Sequence, residues 1–185
     1  MLIAKRVWTL VLILIFMSVG LQLFAQTPKV LTCSQATLTK SEVGVAYRGI
    51  ITNDDYQFVA TIPEGYTGWG GVASNAPFHG FTIFLDHFQR SCILFEVHLR
   101  VDDANGPIHL NSAKPLSLGQ ARAWQTSSSV NAKGGEIRNL KTVFTYEHDD
   151  QIYDGQITLV SQAPERQSAK HVYDDFLRSV HFGNN

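Results

Sequence analysis

The 185-residue chain carries little charge and only two cysteines. Charged residues make up 17% of it and the formal net charge is -1, so it lacks the basic excess of a dedicated nucleic-acid-binding protein. We therefore expect no nucleic-acid partner. Hydrophobic residues make up 44%, which excludes a disordered chain and suffices for the core of one domain.

The sequence also lacks the short motifs of common enzyme classes. No C-x-x-C, H-x-H or H-E-x-x-H spacing predicts a redox or metal centre. Ser74 lies in V-A-S-N-A rather than in the G-x-S-x-G turn of a serine hydrolase. The glycine-rich run 65–71 has neither the following helix nor the Lys-Ser/Thr pair of a phosphate-binding loop. We predict no catalytic residue, no metal-ligand set and no cofactor.

The first residues have the order of a secretory signal peptide. Lys5 and Arg6 precede the apolar run Val7–Met17, and Ala25 stands just before the chain turns polar. We therefore predict that residues 1–25 are a signal peptide cleaved after Ala25, and that the protein is exported, to the periplasm or the medium.

Two alternatives stay open at this end of the chain. Gly20 offers a second cleavage position, and residues 7–25 approach the length of a retained membrane anchor. The short uninterrupted apolar run favours cleavage, with no stable membrane insertion afterwards. Residues 26–42 form a polar lead-in segment.

Cys33 and Cys92 both follow the predicted signal peptide. An even number of cysteines in an exported chain predicts a disulfide, which here ties the lead-in segment to a central strand. A redox pair is the alternative, but the missing C-x-x-C spacing favours the structural bond.

Periodicity predicts a single domain over residues 43–183. Alternating apolar residues predict strands, with turns at clusters of Gly, Pro, Asn and Asp, and spacings of three and four residues predict helices. The predicted strands cover 43–51, 56–62, 80–87, 92–101, 141–147 and 151–161, and the predicted helices cover 116–133 and 164–182. This order predicts an α+β fold, an antiparallel β-sheet flanked by two helices.

Two stretches resemble the PsbP-like family. One is the aromatic strand Y-Q-F-V-A-T-I that runs into the turn P-E-G-Y at residues 56–66, and the other is D-F-L-R-S-V-H-F at residues 175–182, where the last helix ends. The resemblance spans about 44–182 and implies an α/β/α sandwich. It implies a protein-binding module rather than an enzyme, because the family consists mostly of assembly factors, chaperones and exported proteins. It transfers no site residue.

The predicted loop 66–80 holds the candidate binding residues, which are Tyr66, Trp69, Phe78 and His79. If the aromatic rings are exposed, they form a patch of the kind found at the centres of protein interfaces; if they are buried, they cover one end of the sheet. His79 is either a contact residue or a loop histidine that bonds a backbone carbonyl. We expect a protein partner at this surface, with the chain serving as an assembly factor, an inhibitor or an immunity-type protein.

Two other functions stay open. A small metal- or histidine-dependent hydrolase would use His79, or the strand face that carries Glu96, His98, Arg100 and Asp102 next to Asp86 and His87. A solvated face of paired charges is the plainer interpretation of that strand. A carrier of a small apolar ligand would need a cavity between sheet and helix, lined by Phe81, Ile83, Phe95 and Phe176.

Overall fold

A computed structural model describes Cys33 and residues 45–71, 78–87, 90–100, 113–132 and 134–183. The predicted signal peptide and, apart from Cys33, the lead-in segment lie outside these residues. The described part contains one helix, α1 (Arg166–Ser179), and eleven strands. The strands are β1 (Val45–Tyr47), β2 (Ile50–Asn53), β3 (Phe58–Thr61), β4 (Gly68–Gly71), β5 (Phe78–Phe84), β6 (Cys92–Leu99), β7 (Lys114–Leu118), β8 (Ala121–Ala132), β9 (Gly135–His148), β10 (Gln151–Gln162) and β11 (His181–Phe182).

Eight strands form one antiparallel sheet in the order β1-β4-β5-β6-β10-β9-β8-β7. The clearest strand of the sequence, β6, lies near its middle and pairs with β5 and β10. Alternation works as predicted there, because Ile93, Phe95 and Val97 are buried on one face while His98 is exposed on the other.

A second sheet of three strands has the order β11-β3-β2. The turn Asp54–Gln57 joins β2 to β3, so the hairpin predicted around Asn53 is present. The longer first strand predicted from residue 43 is divided: Gly49 has a φ of +68°, and β1 on its far side pairs with β4 in the large sheet.

The helix α1 contacts β10 of the large sheet and β3 of the small sheet, with its predicted apolar face inward. Ala169, Tyr173 and Phe176 are buried. Its end is fixed to the small sheet by Ser179, whose Oγ accepts a hydrogen bond from the Thr61 backbone N–H at 3.0 Å. The stretch D-F-L-R-S-V-H-F at residues 175–182 therefore spans the point where the helix ends and β11 begins.

The predicted helix over 116–133 is wrong. Residues 116–132 belong to the hairpin β7–β8, which turns at Gly119 and Gln120 with a φ of +64° at Gly119. Ala121 and Ala123 are buried on the same face, which is the two-residue period of a strand. The fold is therefore mostly β, with antiparallel sheets and one described helix in place of the two that we predicted.

The opposite face of the large sheet carries a second, smaller core. Cys33 and Cys92 form the predicted disulfide there and are both buried. They pack with Leu94, Ile137 and Val160. The bond thus fastens the lead-in segment to β6 on the face away from α1.

Candidate functional site

Tyr66 and Trp69 lie on either side of the start of β4. The chain leaves β3 at Ile62, whose backbone N–H donates to the Gly49 carbonyl at 2.8 Å. It then turns at Pro63–Gly65, where the Tyr66 N–H donates to the Pro63 carbonyl at 3.1 Å. We name this turn and the two residues that follow it, 63–67, the aromatic turn.

The glycines that we placed in a loop belong to strands. A Cβ at Gly70 would lie 2.2 Å from the Gly80 carbonyl oxygen, so only glycine allows β4 to approach β5 this closely. Trp69, between Gly68 and Gly70, is turned to the other face and is half-buried. The predicted loop 66–80 is thus wrong at both ends, and residues 72–77 lie outside the described part.

Tyr66 and Trp69 line one cleft of about 740 Å³, which we call the aromatic cleft. Its other lining residues come from the aromatic turn and from the end of β5 and the turn that follows: Glu64, Gly65, Thr67, Phe84, Leu85, Asp86 and His87. A second cleft of about 490 Å³ is also lined by the aromatic turn and includes Arg48. Tyr66 is among the residues that line both clefts.

Asp86 fixes the turn between β5 and β6, which forms one wall of the aromatic cleft. Its carboxylate accepts hydrogen bonds from the Ser91 N–H at 2.7 Å and the Arg90 N–H at 3.1 and 3.2 Å. Arg90 in turn donates to Glu165 Oε1 at 2.7 Å, which ties the wall to the start of α1. Asp86 is therefore engaged in shaping the cleft, whereas the imidazole of His87 is exposed at its rim.

The other two candidate residues are placed by their backbones alone. Phe78 and His79 begin β5 and pair with His98 and Val97 of β6. Their side chains lie outside what the structure describes, so their part in binding stays a prediction. His79 stands within a strand rather than in the loop that we expected.

The polar face of β6 is a set of paired groups. Arg100 forms two hydrogen bonds with the Asp154 carboxylate, at 2.5 and 2.6 Å, and Thr145 Oγ1 donates to the same carboxylate at 2.6 Å. Glu96 accepts a hydrogen bond from the Gln156 amide. Among the described residues, no group of three or more His, Cys, Asp and Glu side chains is arranged to hold a metal ion. Asp102 lies outside them.

The space proposed for an apolar ligand is filled by aromatic rings. The centroid of the Phe95 ring lies 5.0 Å from that of Phe81 and 6.4 Å from that of Phe176. Phe81 and Phe176 meet edge to face at 5.8 Å. This packing leaves no room at that point between the sheet and α1.

Sequence reasoning missed half of the aromatic cleft. The alternation in the sequence predicts only that Phe84 and Leu85 belong to a strand, and that Asp86 and His87 lie next to a charged face. Their approach to Tyr66 depends on β4 pairing with β5, and that pairing was hidden because β4 has the composition of a loop.

No protein-family model matches the sequence, and no curated protein matches it. Solved structures do match. LpqN, involved in cell envelope biogenesis of Mycobacterium tuberculosis, superposes with a TM-score of 0.53 at 13% identity, over 84% of this chain and 99% of its own.

Two further structures match at lower TM-scores. A protein from Bacteroides thetaiotaomicron VPI-5482 has a TM-score of 0.42 at 6% identity, over 75% of this chain and 49% of its own. Cyanobacterial PsbP from Synechocystis sp. PCC 6803 has a TM-score of 0.37 at 9% identity, over 75% of this chain and 91% of its own. PsbP thus stands among the structural matches, as the resemblance in the sequence led us to expect. At 13% identity, the likeness to LpqN is one of fold alone.

Proposed function

We propose that this chain is an exported, non-catalytic domain that binds another polypeptide through the aromatic cleft. The observation that carries the proposal is that Tyr66 and Trp69, chosen from the sequence, line one cleft and are both half-buried. Half-buried aromatic side chains offer a large apolar surface that is already held in place, so little conformational entropy is lost on binding.

The residues that line the cleft are better suited to bind a side chain of a partner than to catalyse a reaction. The lining combines Trp69, Phe84 and Leu85 with two carboxylates and a histidine at the edge. One of those carboxylates, Asp86, is held by backbone N–H groups. An apolar centre with a mildly acidic rim suits an apolar or aromatic residue flanked by basic ones.

Two observations support export. A disulfide between Cys33 and Cys92 persists in an oxidising compartment rather than in a reducing cytosol. LpqN, whose fold this chain shares, is involved in cell envelope biogenesis. The helix that the structure describes is too short to cross a bilayer, and no described helix qualifies as a membrane span.

Site-directed photo-crosslinking tests the proposal in the producing cell. A photoreactive phenylalanine analogue at Tyr66 is expected to give one discrete adduct with an exported polypeptide, and the same analogue at Arg122, exposed at the far side of the sheet, is expected to give none. Trp69→Ala should reduce the Tyr66 adduct at least tenfold, because truncating a central aromatic anchor costs about 2 kcal/mol or more of binding.

Trp124→Ala is the matched control. Trp124 is also half-buried, but it lies on β8, far along the sheet from β4. If the Tyr66 adduct survives Trp69→Ala and is lost with Trp124→Ala, the binding surface lies at the other end of the sheet. If Tyr66 gives no adduct, the proposal is wrong.

A further inference from the structure

A separate opening lies where the first turns of α1 pass over β8, β9 and β10. It has a volume of about 390 Å³, within the range of roughly 300–1,000 Å³ that is usual for small-molecule sites. None of the residues that line it belongs to the aromatic cleft. We call it the helix groove.

The floor of the helix groove is apolar. Leu140 on β9 and Leu159 on β10 are directly paired in the sheet, on the face that also carries Thr142 and Ile157. Those last two residues contact Tyr173 of α1, so the floor continues the helix-covered face beyond the helix. One wall is formed by hydroxyl-bearing residues of β8, of which Ser127 pairs with Leu140.

The rim of the helix groove is cationic. Arg138, Arg166 and Lys170 line it, and among the described residues no carboxylate does. Two acids lie beside these cations: Glu136 lies 3.1 Å from Arg138 and 3.2 Å from Arg166, and Asp174 lies 2.5 Å from Lys170. Within the described part of the chain, the rim thus carries three cations, which pair with two carboxylates outside the lining.

One of these cations has a donor that the protein leaves unused. Arg166 NH2 donates to the Glu136 carbonyl and approaches its carboxylate, but the buried Nε–H finds no hydrogen-bond partner among the described residues. Buried donors are nearly always paired in folded proteins. Glu165 Oε2, on the preceding residue, is likewise buried without a hydrogen-bond partner among the described residues, so the polar groups at the start of α1 are incompletely paired.

We propose that the helix groove binds an amphiphile with a single short alkyl or acyl chain and an anionic headgroup. The chain lies on Leu140 and Leu159, and the headgroup lies among Arg138, Arg166 and Lys170. The charge of the rim selects an anion over a neutral sugar headgroup, and the short floor selects a chain of limited length. This inference does not depend on the polypeptide-binding role of the aromatic cleft.

Calorimetric titration with alkyl phosphates tests the inference on the protein as its host cell processes it. Hexyl, octyl and decyl phosphate are added below their micelle concentrations. We expect one saturable site per chain and an affinity that rises about fourfold for each methylene laid on the floor, then levels off once the two leucines are covered. Decyl maltoside and inorganic phosphate should each bind at least tenfold more weakly than decyl phosphate.

Matched variants test whether the amphiphile binds in the helix groove. Ser127→Phe fills the groove from its wall and should abolish binding, whereas Thr126→Phe adds the same group on the opposite face of β8 and should not. Lys170→Gln should lower the affinity about fivefold. Arg178→Gln, on the same helix but paired with Asp175 outside the groove, should leave the affinity unchanged. Unfolding midpoints measured in parallel identify any variant that fails to fold.

Four results would overturn the inference. Equal affinity for decyl maltoside means that the cations do not select the headgroup. Equal affinity for inorganic phosphate means that the leucine floor does not contribute. Undiminished binding by Ser127→Phe, or binding only above the micelle concentration, means that the amphiphile sits elsewhere or coats the protein. Trp69→Ala should leave all these affinities unchanged.

Discussion

Tyr173 connects the helix to the large sheet by a chain of buried hydrogen bonds. Its hydroxyl donates to the Ile157 carbonyl at 3.1 Å, so its bond of 2.8 Å with Thr142 Oγ1 must be one in which Thr142 donates. Thr142 in turn accepts from Gln125 Nε2 at 3.2 Å. Burial raises the pKa of Tyr173 to about 12, because the tyrosinate would lose solvation, although its hydrogen bonds with Thr142 and Gln125 lower it in part.

Tyr173→Phe is expected to destabilise the protein by about 2 kcal/mol at neutral pH, because it leaves the Thr142 hydroxyl and the Ile157 carbonyl buried without this partner. The folded pKa of about 12 exceeds the unfolded value of 10. The stability that Tyr173 contributes is therefore complete below pH 10 and lost between pH 10 and 12. Denaturant titrations from pH 7 to pH 11.5 should show the wild type converging on the variant, and a constant gap would contradict the assignment.

At the scale of elements, Gly155 sets how closely β6, β9 and β10 pack. A Cβ at this position would lie 2.3 Å from the Glu96 carbonyl oxygen and 2.3 Å from Cζ of Phe144. Gly155→Ala must therefore move the backbone of β6 or the ring of Phe144. We expect a loss of about 1–3 kcal/mol in free energy of unfolding by chemical denaturation. Lys141→Ala, exposed on β9, is the control and should change it by less than about 0.5 kcal/mol.

The sequence predicts elements well where one period dominates. The strand from Cys92 and the helix from Arg166 each carry an unbroken apolar face, and both are present. It fails in the hairpin β7–β8, where Leu118, Ala121 and Trp124 follow a spacing of three although both strands are extended. Alanine favours helix and is uncommon in strands, but pairing with β9 along almost the whole of β8 outweighs that preference.

Only half of the candidate site can be predicted from the sequence, because strand pairing rather than a local pattern brings its residues together. Tyr66 and Trp69 can be chosen from composition, because aromatic residues among glycines are unusual. Leu85 and His87 join them only through the register of β4 and β5, which no local pattern specifies. The helix groove is harder still, since it brings residues of β8, β9, β10 and α1 together.

At the scale of the whole molecule, the disulfide between Cys33 and Cys92 closes a loop across 59 residues. Restricting the unfolded chain by a loop of this length contributes on the order of 4 kcal/mol. We expect the double variant Cys33→Ser, Cys92→Ser to lose about this much in free energy of unfolding, with the large sheet still formed. Urea titrations with and without reductant measure the loss.

The reductant itself needs a control. It should lower the midpoint of the wild type to that of the double variant and leave the double variant unaffected. Equal midpoints for the oxidised wild type and the variant would mean that the bond does not stabilise the fold. Its role would then be to keep the lead-in segment in place on the small core around Leu94 and Val160.

The strand order has a consequence for how the chain is made. Within the described sheet, β10 is the only strand that joins the group β1, β4, β5 and β6 to the group β7, β8 and β9. A growing polypeptide therefore completes β6, with its run Cys92–Phe95, long before the ribosome has synthesised the neighbour that covers its edge. Until Gln151–Gln162 emerges, this nascent edge can pair with a second copy as readily as with its own chain. The interval between the two strands is the period in which a holding chaperone would matter most.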